Sequence, residues 1–293
     1  MKIILVGANG QVGKEVQDLS KALNIPLVSF GHDILDITNF NSISNNLALH
    51  QDATVLINAA AYTAVDMAED ESEAAYQVNA IGPKNLATWC HKHSVPIIHI
   101  STDYVFSGDK ASPYLEDDAT NPMSVYGKTK LAGEQFVQDI CPQHIILRVS
   151  WVFGQYGKNF VKTIIRLAKE RETLKIVEDQ IGNPTSAADI ARVLLEITKQ
   201  IPSLTWGTYH YCGKDTVSWY QFACAIVEEA QKYEPLTVKE ILPITTNEFP
   251  TKAARPQNSA LNCDKIAALL EIPQTSWRGY LNELVENLHQ FKT

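Results

Sequence analysis

The sequence predicts an α/β protein built on a doubly wound parallel sheet, and three observations carry that reading. Short, continuous β-branched runs recur through the first half of the chain, stretches with helical apolar spacing separate them, and a Gly-x-x-Gly-x-x-Gly turn joins the first run to the first helical stretch. In order, Ile3-Ile4-Leu5-Val6 reads as a strand, residues 11–23 as an amphipathic helix and Leu27-Val28-Ser29-Phe30 as a second strand. Val55-Leu56-Ile57 follows, then a helix over 71–93, a strand over 96–100, a helix over 124–139 and a strand over 145–147. Apolar runs without polar alternation suit strands covered on both faces, as in a parallel sheet flanked by helices. After Ser150 the rhythm changes: 159–170 and 186–199 read as helices around the turn-rich segment 178–185, and prolines punctuate the chain from about Glu234 onward. The expected division is a nucleotide-binding domain over 1–150, with 186–233 packing back on it. Residues 151–185 and 234–293 would form a smaller, discontinuous α/β substrate-binding lobe at the carboxyl ends of the strands.

Composition narrows the function. The 293 residues are 45% hydrophobic and 20% charged, which is ordinary globular composition and excludes global disorder. No apolar stretch approaches the roughly 18 residues of a membrane span, and Met1-Lys2 leads directly into the first apolar run, so neither a signal peptide nor a membrane partner is expected. The net charge is −8 and the cations are scattered, which argues against nucleic acid. Five widely spaced cysteines without a Cys-x-x-Cys pair read as reduced thiols in a cytoplasmic protein.

The glycine turn Gly7-Ala8-Asn9-Gly10-Gln11-Val12-Gly13 has the context of a dinucleotide site, a strand before it and a helix after it. Glycine there permits a tight turn and lets a pyrophosphate approach the N–H groups of a helix N-terminus. The region where an NAD site usually carries its ribose-binding acid reads Ser29-Phe30-Gly31-His32-Asp33, which favours NADPH modestly and leaves NADH as an alternative. Further on, Asp36-Ile37-Thr38-Asn39 is cap-like. Tyr126 and Lys130 stand four apart on one helical face, where an ammonium can stabilise a phenolate that is otherwise a poor acid–base group near neutrality. Ser101-Thr102-Asp103 ends the preceding strand and can set a hydroxyl against that phenol.

These residues resemble the extended short-chain dehydrogenase/reductase superfamily, whose sheet is Rossmann-like. Within it, the segments 58–66, 101–106, 125–134, 148–153, 179–185 and 254–259 resemble the dTDP-4-dehydrorhamnose reductase family over nearly the whole chain. The resemblance implies reduction of the C4 ketone of dTDP-4-dehydro-β-L-rhamnose. Tyr126 would donate the proton, Lys130 would hold the nicotinamide ribose and lower the phenol's pKa, and Thr102 would bond the ketone oxygen. Gly10, Gln11 and Val12, between Gly7 and Gly13, would meet the pyrophosphate. Asp36 and Ile37 would meet the adenine end, and Ala61, Tyr62 and Thr63 the cofactor at the end of the third strand. Thr63, Val65, Asp103 and Tyr104 would line the sugar site, Trp151 would pack on the substrate, and Arg255 would take its diphosphate.

Plainer roles stand beside these: Trp151 as a seam aromatic, Arg255 as an ion-pair residue, Asp36 as a turn or helix cap, and the acidic run 66–73 as a solvated face. No metal site is expected. His91 and His93 do not share a helical face, and Glu15, which matches a position of a subunit-bridging Mg2+ site in some family members, reads as an exposed helix residue. A homodimer is compatible with the resemblance. The alternatives are a reductase of another nucleotide-linked 4-keto-6-deoxysugar, and a non-catalytic NADP-binding subunit resembling the regulatory subunit of methionine adenosyltransferase.

Overall fold

A computed structural model describes residues 1–290 and places six parallel strands in one central sheet. They are β1 (Ile3–Val6), β2 (Leu27–Phe30), β3 (Val55–Asn58), β4 (Ile97–Thr102), β5 (His144–Val149) and β6 (Gly207–His210), in the order β6-β5-β4-β3-β1-β2. The order reverses between β1 and β3, which opens the ligand crevice of a doubly wound sheet at the end of β1. The apolar runs are explained by burial on both faces. Ile3 and Leu5 enter the hydrophobic cluster on one side of the sheet and Ile4 and Val6 the cluster on the other. All four are at most 1% exposed, so each contributes about 1.5–3 kcal/mol.

Helix α1 (Gln11–Ala22) covers the first face together with the helix Ala187–Gln200, through Val16, Ile190, Val193 and Leu194. The second face is covered by Leu86, Trp89 and Cys90 of α2 (Gly82–Lys92) and Val137 of α3 (Val125–Ile140). The single helix expected over 71–93 is divided: a short helix Ser72–Tyr76 passes through a π-helical turn, Gln77–Ile81, into α2. Pro83 supplies the reason, since it lacks an N–H and cannot tolerate the carbonyl four residues back in α-helical register.

Sequence reading misses β6, a short strand of mixed polarity that extends the sheet beside β5. It also sets the lobe boundary too simply. Within 186–233, the helix Ala187–Gln200 and β6 lie on the sheet, whereas Trp219–Ala230 joins a third hydrophobic cluster. Phe222 and Ile226 pack there with Ile164 and Ile165 of the helix Phe160–Glu170 and with Trp277 and Leu281 of the helix Trp277–Gln290. Conversely, Ile266, Leu270 and Ile272 of the tail pack on the sheet's first cluster. The last three residues of the chain lie outside the described ones. Buried Asp189 ties lobe to sheet by accepting from Arg192, Tyr211 (2.7 Å), Thr275 and Tyr280 (3.1 Å).

Helix α3 is docked with little tolerance. A Cβ on Gly127 would sit 2.3 Å from the Tyr104 carbonyl oxygen, and one on Gly133 would sit 2.1 Å from that of Asn79. Between helix and sheet, Glu134 accepts from Arg148 Nε (3.0 Å) and Nη2 (2.7 Å), a pair of side chains 1% and 5% exposed. Removing one partner from such a pair strands a buried charge. Glu134→Ala is therefore expected to cost about 3–5 kcal/mol of unfolding free energy in a denaturant titration, whereas Glu134→Met with Arg148→Met costs much less. Equal losses in the single and double variants would refute this view of the pair.

Candidate active site

The site lies at the carboxyl ends of β1, β3 and β4. At β1, Gly7 takes a positive φ of 84°, and any Cβ there would lie 2.4 Å from the Ala60 nitrogen. Gly13 lets α1 close on the turn, since its Cβ would lie 2.2 Å from the Gly7 carbonyl oxygen. Gly10 is the exposed N-cap of α1; no side chain caps this terminus and its first turn holds no acid. The N–H groups around Gln11, Val12 and Gly13 thus open on a positive helix end, which fits the pyrophosphate of a dinucleotide. Gln11 Oε1 accepts from Asn159 Nδ2 at 3.1 Å, which ties the turn to the lobe.

Toward the expected adenine end, Asn9 donates to Asp33 at 3.2 Å above Gly31, and His32 is exposed. Asp36 makes a local turn, its Oδ1 accepting from the Thr38 N–H (2.9 Å) and hydroxyl (2.8 Å), while Asn39 caps the helix Phe40–Asn46. The Ile37 side chain is buried against Gly82. At the end of β3, Ala61 and Tyr62 are half-buried and Thr63 is exposed. Asn79 holds this loop: its Oδ1 accepts from the Tyr62 N–H (2.8 Å) and its Nδ2 donates to the Tyr62 carbonyl (3.1 Å) and to Thr129 (3.2 Å). Sequence reading passes over Asn79; its signal is a lone amide among apolar neighbours where the helix widens.

Thr102, Tyr126 and Lys130 converge at the end of β4. Ser124 caps α3 through the Gly127 N–H (3.1 Å), so Tyr126 enters on its first turn. The Thr102 hydroxyl lies beside the Tyr126 phenol and donates to Asp103 Oδ1 at 3.0 Å. Burial pushes Tyr126 up to about 12; Thr102 opposes this and the Asp103 charge adds to it. Lys130 is 2% exposed and donates to the Ile100 carbonyl at 2.7 Å. Burial lowers it to about 8 against the pull of Glu134. Behind it, buried His99 meets Asn58 at 3.0 Å and is held neutral by burial and by the Lys130 charge.

Of the proposed sugar-site residues, Asp103 and Tyr104 adjoin this group. The Tyr104 ring meets Tyr126 edge-on at 5.6 Å, and Val65 starts the short helix after β3. Trp151 has a φ of 43°, a left-handed conformation uncommon away from glycine, and stacks on Trp219 at 3.5 Å while its Nε1 donates to Ser259 at 3.1 Å. Gly182 makes room for that indole, because its Cβ would fall 2.5 Å from the ring. Arg255 donates to Asp66 at 2.7 Å and lies beside the Tyr104 phenol. The acidic run is solvated over Asp70, Glu71 and Glu73, with Asp66 and Glu73 in the first turns of short helices, but it also carries specific bonds. Asp66 bonds Arg255 and the Ala253 N–H, Glu69 accepts from the Val125 N–H at 2.8 Å, Asp70 pairs with Lys252, and Glu71 accepts from Tyr62. Glu15 is half-buried rather than fully exposed, and no cluster of three or more metal-ligating side chains occurs among the described residues.

The family model described as the RmlD substrate binding domain matches residues 1–290. The chain belongs to the dTDP-4-dehydrorhamnose reductase family. It is 42% identical to the dTDP-4-dehydrorhamnose reductase of Aggregatibacter actinomycetemcomitans, over 97% of this chain and 98% of that protein. Among solved structures, that of a dTDP-4-dehydrorhamnose reductase from Clostridium acetobutylicum superposes with a TM-score of 0.92 at 41% identity, covering 98% of this chain and 99% of that one. The Bacillus anthracis reductase in complex with NADP gives 0.88 at 38% identity over the whole of both chains. The fold reaches further, to a Thermotoga maritima UDP-glucose 4-epimerase at 19% identity and a TM-score of 0.83.

In this member of the reductase family Asp103 is a second buried acid beside the phenol. It is 2% exposed, its Oδ2 has no hydrogen-bond partner, and burial raises its pKa to about 6 against the Ser259 and Thr102 hydroxyls. A raised carboxyl pKa penalises the native state only once the group ionises. The penalty is absent below the unfolded value near 3.8, grows up to pH 6 and reaches about 3 kcal/mol above it. Asp103→Asn is thus expected to gain stability relative to the parent as pH rises from 4 to 7.5, measured by denaturant unfolding. A pH-independent difference would contradict the assignment.

Proposed function

We infer that the chain is an NADPH-dependent oxidoreductase that reduces the C4 ketone of dTDP-4-dehydro-β-L-rhamnose to dTDP-L-rhamnose, acting as a cytoplasmic enzyme of dTDP-rhamnose biosynthesis. The observation that carries this reading is the convergence of Thr102, Tyr126 and Lys130 at the end of β4, across the crevice from an uncapped helix N-terminus behind a glycine turn. A ketone reduction needs those parts: a place for a dinucleotide, an acid for the developing alkoxide and a cation near that acid.

The glycine turn and α1 would hold the pyrophosphate, with Ala61, Tyr62 and Thr63 beside the cofactor at β3 and the 36–37 segment toward its adenine. NADPH, when bound, supplies the hydride. Tyr126 holds the proton at its Oη, and a phenol at about 12 keeps that proton until charge develops on the C4 oxygen. Thr102 Oγ1 hydrogen-bonds the same oxygen and so steadies the charge before the proton transfers. Lys130 offers its ammonium to the nicotinamide ribose and favours the phenolate left by donation. Its pKa of about 8 implies that this help fades in mildly alkaline solution. Val65, Asp103, Tyr104 and Trp151 line the sugar, and Arg255 meets the diphosphate. The third hydrophobic cluster, built from the helices Phe160–Glu170, Trp219–Ala230 and Trp277–Gln290, would form the core of the substrate-binding lobe.

The test is NADPH oxidation by the purified protein with dTDP-4-dehydrorhamnose. Tyr126→Phe is expected to lower kcat by about 10²–10⁴-fold with NADPH affinity retained. Full turnover by that variant would remove Tyr126 from the role of proton donor, and no turnover by the parent with any 4-keto sugar nucleotide would overturn the reductase reading.

A further inference from the structure

The loop after β3 and the segment 252–255 are far apart in sequence, yet they are bonded across the mouth of the site. Asp66 Oδ2 accepts from Arg255 Nη2 at 2.7 Å across 189 residues, Asp66 Oδ1 accepts from the Ala253 N–H at 3.1 Å, and Asp70 pairs with Lys252. The guanidinium so held is only partly used: it reaches toward the Tyr104 phenol, and its buried Nη1 makes no well-formed hydrogen bond. A buried donor left unpaired is costly in a resting site and is satisfied by a ligand oxygen. Its position fits such a ligand. Arg255 lies beside Tyr104, whose ring touches that of Tyr126, so the free donor is one aromatic ring from the proposed proton donor. In a six-membered sugar the C1 substituent, here the diphosphate, lies across the ring from C4.

We propose that Asp66 is a positioning residue for substrate binding: it fixes the Arg255 guanidinium over Tyr104 so that Nη1 is presented to the diphosphate of the sugar nucleotide. The inference rests on the reductase reading and adds to it the residue that orients the cation. Arginine is flexible, and the segment that carries it has no regular secondary structure, so unanchored it would lose much freedom on binding. Asp66 removes that freedom beforehand. Its carboxylate is suited to holding a cation. Although burial works against its charge, the Arg255 and Ala253 donors hold its pKa below the ordinary range, so it is ionised near neutrality. The contact engages one edge of the planar fork and leaves the other for phosphate oxygens.

The experiment is a double-mutant cycle with Asp66→Asn and Arg255→Ala in the full chain, following NADPH oxidation with dTDP-4-dehydrorhamnose and NADPH affinity by fluorescence. Asp66→Asn is expected to raise KM for the sugar nucleotide about tenfold with kcat and NADPH affinity near parental values. Arg255→Ala is expected to raise it further, and adding Asp66→Asn to Arg255→Ala should change nothing more, because Asp66 acts through Arg255. An unchanged KM in Asp66→Asn, or effects that multiply in the double variant, would overturn the proposal. Should Asp66→Asn lose NADPH binding through misfolding, Arg255→Lys decides: loss of the fork raises KM about tenfold if the proposal holds, and an unaltered KM refutes it. If the parent turns over no 4-keto sugar nucleotide, the reductase reading fails separately. Titration with dTDP alone then tests Asp66, with weaker binding by Asp66→Asn expected and equal affinity contradicting it.

Discussion

Helix α3 makes its tightest contacts at two glycines and one buried ion pair, and the geometry of the site follows from that docking. Gly127 and Gly133 let the helix approach the Tyr104 and Asn79 carbonyls to distances that no Cβ would allow. Glu134 and Arg148 lock its middle to β5. Tyr126 and Lys130 are thereby set over the end of β4, where Thr102 waits. The same contacts join the parts around it: the Asn79 carbonyl belongs to the widened turn whose side chain fixes the loop after β3, and the Tyr104 carbonyl belongs to the residue that lies beside Arg255.

This arrangement concentrates burial around the groups proposed to handle the proton. Tyr126, Lys130 and Asp103 all have pKa values shifted mainly by loss of water, Tyr126 and Asp103 upward and Lys130 downward. Groups so poised cost stability and are retained where chemistry uses them. The left-handed backbone at Trp151, stacked on Trp219 over Gly182, is a further local cost at the seam between sheet and lobe. With a chain charge of −8, the proposed recognition of two diphosphate ligands would rest on local devices, a helix N-terminus on one side and a tethered guanidinium on the other.

Much of this was legible in the sequence because it resides in short segments. The strands announce themselves as apolar runs, the glycine turn as a fixed spacing, and Tyr126 and Lys130 as a pair one helical turn apart. What was not legible depends on partners distant in the chain. Nothing near Asp66 indicates that it meets Arg255 189 residues on, so its bond is not visible within a run that is otherwise solvated. Glu134 reads as an ordinary helix residue until β5 brings Arg148 to it, Trp219 lies outside every recognisable motif, and β6 is too short and too polar to stand out. The helix over 71–93 fails for a local reason, because periodicity is blind to the wide turn that Pro83 imposes.

A crystal structure of the protein with NADP+ and dTDP-L-rhamnose measures the central claim directly. The C4 oxygen of the sugar should lie within hydrogen-bond distance of both Tyr126 Oη and Thr102 Oγ1, with Lys130 Nζ moved from the Ile100 carbonyl to the nicotinamide ribose. A C4 oxygen bonded to other groups, with Tyr126 out of reach, would contradict the account.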